Sequence, residues 1–491
     1  MVEKEERILR QNAHEVKENT EMIQEMKIYN AMRDGINRGK KRSRKRMFSL
    51  GMGAIAAVAA VLLLFPFSGL PIEVKDEPSL QTASTEHWDD FKAYREDSVL
   101  DPALASALEQ NLVKQIRQSA EKKGFRIDVS GAVTDGRKVF VLYSVQNNTD
   151  KEVVHADFSL HFGTYQDPYP RKGTSLEILP GDNRLRAGQT VNYIYSTNLL
   201  PSRQYSQDAK LGIILTETSD EALFSSSNKY RTSLDVTFKL NPDMLNNQNY
   251  AIYPEQTLTV GGQKIIVKQL LYTPLSTYVD LEYDKSNDKQ IFEWINPVLI
   301  GKSGDHTEKL YYPDLLTSYN SEVYSDNSKA TLIFKKSLAG PLDSVALKIA
   351  GIAAQDKDRL KIVVDLNKKQ IIEAPGSDLV VVEPDPAEHA EAGEILLRRK
   401  STNDPFSSSF SMSLPSSYTD AEGQVHQTVN KKFSSINFGG FSRSKEGTVV
   451  DEIRYNFGEA ALEYPQPLTI KIERYWNPVM DTQSIELSPS K

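Results

Sequence analysis

Between Met47 and Phe67 the chain runs MFSLGMGAIAAVAAVLLLFPF, 21 residues without one charged side chain. At about 1.5 Å of rise per residue, a helix of that length covers about 30 Å, the thickness of a bilayer's hydrocarbon core. A buried helix of a soluble body rarely stays uncharged for so long, so the run predicts a transmembrane helix over 47–67. A cleaved signal peptide fits poorly. The preceding 46 residues far exceed a usual leading region, and the exit, Pro66-Phe67-Ser68-Gly69-Leu70-Pro71, has no small-x-small cleavage pattern. Pro66 suits the helix end, since its ring cannot continue the hydrogen-bond ladder.

The flanks set the orientation. Lys40, Lys41, Arg42, Arg44, Lys45 and Arg46 crowd the N-terminal side, whereas residues 68–91 hold only Lys75. The positive-inside rule places the N-terminus in the cytoplasm, with the basic cluster against anionic lipid headgroups. Residues 1–46 carry a net +5 and residues 68–491 a net −12, as expected of two compartments. Because the basic residues abut the membrane, no nucleic-acid partner is predicted. Gly51-x-Gly53-x-x-Ala56 only superficially resembles a dinucleotide fingerprint, since no strand precedes it. Gly53-x-x-x-Ala57 permits close approach of two helices, and a lone helix in lipid fits equally well.

The 1–46 tail has no proline, and its first glycine is Gly35. Leu9, Val16 and Ile23 recur at heptad spacing, and Met26 extends the stripe, which predicts an amphipathic helix of about nine turns. Such a thin stripe gives little order alone in water. Two readings suit it: docking into a partner's groove through Leu9, Val16, Ile23 and Met26, or lying on the membrane or against its own copy. Gly35-x-x-x-Gly39-Lys40-Lys41 is one residue short of a phosphate loop and lacks the following Ser/Thr.

Beyond the membrane the expected class is mainly β. The chain has no cysteine, which excludes disulfides, cysteine-ligated zinc and thiol chemistry. Residues 68–100 are rich in Pro, Ser and acidic residues, and read as a stalk. Asp101 as N-cap, Pro102 in the first turn and Gly124 as stop bracket a helix with Leu104, Leu108, Leu112 and Ile116 along one face. From Phe125 onward, period-two segments such as VFVLYSV (139–145) and STYVDLEY (276–283) predict strands.

A repeat runs through this region. VNYIYSTNLLPSRQYSQDAKLGIILTET with LDVTFKLNP, ATLIFKKSLAGPLDSVALKIAGIAA with RLKIVVDLNKK, and VVDEIRYNFGEAALEYPQPLTIKIERYWNPV with SIELSPS each read as strand, Leu/Pro-containing link, strand, final strand. VFVLYSV corresponds to TYVDLEY, and FSSSFSMSLPS (406–416) offers a third counterpart. The expected domains are 101–243 (the capped helix plus a first sandwich), 250–372 and 376–491, tandem antiparallel β-sandwiches of the immunoglobulin-like class without its Cys–Trp–Cys core.

No catalytic constellation is legible. His155 and His161 stand too far apart along a strand to share a metal and read as surface residues. His87, His306, His389 and His426 are scattered, and neither H-E-x-x-H nor G-x-S-x-G occurs. The acidic stretch Glu383–Glu388 suits a solvated linker better than a weak Ca2+ site. Tyr311, Tyr312, Tyr319 and Tyr324 suit core and edge packing better than stacking on a sugar or partner. No enzyme, cofactor or metal is expected.

The order of basic-tailed helix, anchor, capped helix and β domain resembles a family of Bacillota single-pass membrane proteins catalogued as domain of unknown function 4179, often followed by an immunoglobulin-like domain of unknown function. The resemblance rests on Ala31–Lys41 running into Arg44–Arg46, FRIDVSGAVTDGRKVFVLYSV (125–145) and KIIVKQLLYTPLSTYVDLEYD (264–284). It covers the chain to about residue 370 and is thin beyond. It implies an anti-sigma-like role, the tail holding a sigma factor while the ectodomain senses an envelope protein or polysaccharide. The zinc-type anti-sigma pattern is absent, since the tail has only His14 and no cysteine. A structural or adhesive surface protein, its tail a mere anchor flank, is the alternative.

Overall fold

The computed structural model describes residues 91–95, 100–163, 175–179, 184–201, 203–219, 228–311, 313–317, 324, 326–335, 342–383, 391–401, 412–429, 439–443 and 449–487. The tail helix, the 47–67 run and residues 68–90 lie outside them. Among the described residues no helix is long and apolar enough to cross a membrane. Ala83–Lys491 forms one compact unit. It is mainly β, and its sheets are antiparallel.

The first part holds β1 (Lys114–Lys122), β2 (Phe125–Thr134), β3 (Lys138–Asn147), β4 (Val153–Phe162), β5 (Ser175–Leu179), β6 (Arg184–Leu185), β7 (Thr190–Asn198), β8 (Asp208–Glu217) and β9 (Arg231–Lys239). One sheet runs β1-β2-β3-β7-β5 and the other β6-β4-β8-β9. β9 shows why they face each other. Its burial alternates strictly, with Leu234, Val236 and Phe238 inward and charged or polar residues outward. These meet Ile127, Val141, Tyr143 and Tyr193 of the other sheet in one core.

Two short helices close one side of this pair. α1 (Lys92–Arg95) and α2 (Pro102–Glu109) bury Phe91, Tyr94, Leu104 and Leu108 against Val133, Phe140, Leu142 and Ile194. The docking of Phe91 and Tyr94 departs from the stalk expected over 68–100. Gly131 makes the close approach possible, since a Cβ there would stand 2.6 Å from the Phe91 ring. Asp101 caps α2 as expected, accepting from the Ala103 amide at 2.9 Å. The helix does not reach Gly124, however. It stops at Glu109, Asn111 turns left-handed (φ 55°), and β1 begins at Lys114, so Ile116 lies on a strand and Gly124 in the β1–β2 turn.

The rest of the chain holds β10 (Tyr250–Ile252), β11 (Gln256–Val260), β12 (Gln263–Tyr272), β13 (Thr277–Tyr283), β14 (Lys289–Ile295), β15 (Val298–Ser303), β16 (His306–Tyr311), β17 (Asp314–Thr317), β18 (Lys329–Phe334), β19 (Ser344–Asp356), β20 (Lys361–Asp365), β21 (Gln370–Glu373), β22 (Leu379–Val382), β23 (Glu394–Ser401), β24 (Met412–Ser413), β25 (Ser417–Thr419), β26 (Val425–Gln427), β27 (Gly439–Arg443), β28 (Val449–Asn456), β29 (Leu468–Lys471), β30 (Arg474–Tyr475) and β31 (Pro478–Glu486). The second sheet pair sets β12-β13-β18-β17, with β10 and β11 both on β12, against β14, β15, β16 and β19. The third sets β22-β23-β28-β27 against β21-β20-β29-β25-β26, with β24 and β30 forming a short ribbon beside them.

The three pairs share a plan. β3-β7, β13-β18 and β23-β28 are equivalent pairings, so β23 (394–401) takes the place that FSSSFSMSLPS was expected to fill. The final strands then change places. In the first pair β9 lies on β8. In the second, the strand on β19 is not β20, the next in sequence, but the C-terminal β31, from Ala346↔Glu486 to Ala353↔Pro478. In the third, β20 lies on β29, from Lys361↔Lys471 to Val364↔Leu468. RLKIVVDLNKK thus completes the third pair and SIELSPS the second, the reverse of the repeat read along the sequence. Leu487 is fully buried in the second core and Ile362 in the third. Gly351 makes room for the visiting strand, since a Cβ there would collide with the Val479 carbonyl oxygen. The chain crosses between the two pairs twice, at 357–360 outward and at 476–477 on return. At the return, Asn477 donates to the Ala354 carbonyl at 3.0 Å and to Gln355 Oε1 at 2.9 Å.

Candidate functional site

The most elaborate polar arrangement lies where the first sheet pair meets the second. It grows from the β2–β3 turn, Thr134-Asp135-Gly136-Arg137. Asp135 is 1% exposed, and its carboxylate has four donors. Oδ1 accepts from the Arg137 and Lys138 amides, both at 2.9 Å. Oδ2 accepts from Thr273 Oγ1 and the Tyr278 hydroxyl, both at 2.7 Å. Four donors use about all the lone-pair capacity of a carboxylate, which is what a buried charge requires.

Arg137 reaches the other way. Its guanidinium grips Asp280 through two bonds of 3.0 and 2.7 Å and lies 5.0 Å from the centre of the Tyr278 ring. Thr331 adds a hydroxyl bond to Asp280 at 2.6 Å, and Tyr324 bonds Thr331 in turn. Burial pulls the Arg137 pKa down, but the Asp280 bonds outweigh it and hold the guanidinium above its ordinary value. Burial, then the Asp135 charge, push the Tyr278 hydroxyl well above its usual range. Beside this network Lys138 Nζ pairs with Asp101, the cap of α2, at 3.2 Å. Leu275, fully buried, inserts from the second pair among the residues that α2 covers. One connected set of groups therefore runs from the start of α2 through Asp101, Lys138 and Asp135 to β13.

The histidines are of two kinds. His155 is buried, contrary to the surface reading. β4 carries it into an aromatic cluster, 5.1 Å from the Tyr193 ring, and its Nε2 shares a 2.9 Å bond with the Tyr143 hydroxyl. Among the described residues its Nδ1 has no hydrogen-bond partner, and burial pushes the imidazole down to about 4. His426 pairs with Asp420 at 2.8 Å and stacks between Tyr418 and Tyr464, with ring centres 5.3 and 4.1 Å away. Asp420 also accepts the amides of Glu422 and Gln424 at 3.0 and 2.9 Å. The hydrogen bond from His426 leads in holding its carboxyl below the usual range. The imidazole's faces are covered by tyrosines, so the pair acts as a clasp on the β25–β26 hairpin. His306 is exposed at the start of β16. Among the described residues no group of three His, Asp or Glu could hold a metal ion.

Leu9, Val16, Ile23, Met26 and the basic cluster Lys40–Arg46 lie outside the described residues, as do His87, His389, Tyr312, Tyr319 and most of Glu383–Glu388. Tyr311 is 36% exposed on β16, whereas Tyr324 is turned into the junction network. Nothing in the sequence announced the junction, because Asp135 and Tyr278 stand 143 positions apart. The one local sign was TDGR, a turn sequence whose Asp serves the following amides.

No family model matches the chain, and no curated protein does. Among solved structures, a conserved domain protein from Bacillus anthracis aligns over 53% of this chain and 84% of its own, at 11% identity and a TM-score of 0.32. The secreted serine protease VesC from Vibrio cholerae aligns over 47% of this chain and 50% of its own, at 12% identity and a TM-score of 0.16. Likenesses of this size carry no conclusion about fold or function.

Proposed function

We propose that the chain is a single-pass membrane regulatory or sensor protein, anti-sigma-factor-like, with a cytoplasmic tail that binds a partner and extracytoplasmic immunoglobulin-like sandwiches that bind an envelope protein or polysaccharide. The observation that carries the reading is the junction. The segment that follows the expected anchor, α1 and α2, is tied by Asp101 and Lys138 to the turn whose Asp135 and Arg137 grip the second sheet pair. A ligand that shifts the second pair would work against buried, directional bonds and would therefore move α2, which with α1 follows the expected anchor in sequence. A passive anchor has no need of that linkage. Catalysis has no part in this reading, and the family resemblance supports the sigma-factor side of it.

The test has two arms. Protease added to intact cells should remove the C-terminal bulk and spare the tail. The full chain should capture a cytoplasmic protein, a sigma factor foremost, and a Leu9→Asp/Ile23→Asp double variant should lose it. Retention of every partner by that variant defeats the tail-docking idea. The alternative, a structural or adhesive surface protein, is favoured by the double chain crossing between the last two sheet pairs, which suits load-bearing. It predicts no partner for the tail.

A further inference from the structure

Comparison of the three sheet pairs exposes, among the described residues, an open edge in the third. In the first pair the outer edge of β2 is covered by β1, and in the second that of β12 is covered by β10 and β11. The equivalent strand of the third pair is β22, since β22-β23-β28 matches β2-β3-β7. The strand before it, β21, is paired to β20 in the opposite sheet instead. Among the described residues β22 therefore ends its sheet, and β21 ends the other. Between them lies a cleft of about 500 Å3, lined by Ile371, Ile372, Val380, Val381, Arg359 and Lys369 among others. Ile372 is 58% and Val380 47% exposed, one on each lip. An uncovered edge with apolar lips is a template for strand pairing.

The occupant's chemistry can be read from the same comparison. On β12 the covering strand is Gln256–Val260, whose Leu258 and Val260 point inward at alternate positions, 4% and 0% exposed. The cleft adds a cation at either end, because the antiparallel β20–β21 register separates Arg359, before β20, from Lys369, before β21. Lys369 meets exposed Glu383 at 3.1 Å, while Arg359 has no ion pair among the described residues. No carboxylate lines the cleft itself. We propose that the β21–β22 cleft is a docking site for an extended peptide segment of a partner protein, which adds as a strand to β22, buries alternate aliphatic side chains between Ile372 and Val380, and presents carboxylates to Arg359 and Lys369. The proposal is independent of the membrane topology and of the tail's partner.

The probe is a fluorescein-labelled peptide, Asp-Gln-Thr-Leu-Thr-Val-Asp, which flanks the β11 sequence with aspartates. It is titrated with the full chain in mild detergent and read by fluorescence anisotropy. Saturable binding is expected. It should weaken at least about tenfold when Ile372 and Val380 are both changed to Asp, and by a similar factor when the probe's aspartates become lysines. Both substitutions are at exposed positions, and an unchanged thermal unfolding curve shows that the fold is intact. A probe N-methylated at alternate amides should lose binding in one of the two phases, which separates strand pairing from mere apolar adhesion. Absence of saturable binding, or binding indifferent to the double substitution or to N-methylation in both phases, overturns the proposal. So does self-association of the chain that the double substitution relieves, because the occupant is then a second copy.

Discussion

The exchange of final strands can be tested with one methylene-rich side chain. Leu487 follows β31, is fully buried in the second core, and its amide donates to the Val345 carbonyl at 2.6 Å. Leu487→Ala keeps that backbone bond and removes only the buried side-chain atoms. Such a truncation costs about 2–5 kcal/mol, the upper end applying where the cavity cannot collapse, as between two paired sheets. Taking about 3 kcal/mol, the opening equilibrium of the affected body rises roughly a hundredfold. Hydrogen exchange followed by mass spectrometry reads where. Protection should fall in peptides from β12, β13, β18 and β19, and stay in those from β23, β28 and β29. The mirror-image variant is Ile362→Ala on β20. Ile362 precedes the whole third repeat in sequence yet is fully buried in the third core. It should loosen β29, β28 and β23 by a similar factor and leave β12 and β13 protected. If Leu487→Ala instead opens the third pair and Ile362→Ala the second, the strands follow the linear repeat and the exchange is wrong.

Arg137→Ala leaves Thr331 as the Asp280 carboxylate's side-chain partner among the described residues. Because the ion pair is largely buried, the loss should be about 3 kcal/mol, visible as a lower denaturant midpoint and faster exchange in β13. Asp101→Ala removes the cap of α2 and the partner of Lys138. It should cost about 1 kcal/mol for the cap alone, read as selective loss of protection over residues 102–109. His155 is neutral in the folded state and titrates near 4, whereas in the unfolded chain it would take up its proton near 6.5. The unfolded state thus binds the proton first as pH falls. Stability of the first pair is full above pH 6.5 and declines toward pH 4, by at most about 3 kcal/mol. His155→Gln should flatten that slope in urea titrations run across the window. A slope unchanged by the substitution assigns the effect to other groups.

The repeat and its strands were legible because alternation is a local signal. β9 buries every second residue, β13 does so from Val279 onward, and their sequences say it directly. β1 was not legible. KQIRQSAEK lies on an edge with both faces largely open, so nothing constrains its polarity to alternate. The extension of α2 to Gly124 failed for a related reason. Four-residue spacing continues through Leu112 and Ile116, but a left-handed Asn111 ends the helix before they are reached. Which final strand lies in which core was beyond a single sequence. β9, β20 and β31 all bear an amphipathic period-two pattern that fits any of the three places, and the choice depends on the short 357–360 crossing and on the gap that Gly351 provides. The junction was hidden by separation along the chain. Asp135 and Arg137 look like ordinary turn residues until β13 and Thr273 are set opposite them.

Duplicated modules are commonly gained and lost one at a time, each leaving its neighbours whole. The paired crossings at 357–360 and 476–477 remove that freedom from the last two modules here. A reading frame ending near residue 372 would yield a second module with a raw hydrophobic seam along β19 and a lone β20 with nowhere to lie. The two would have to be inherited, synthesised and repaired as one article. A lineage that shortens this protein should therefore drop both together or neither.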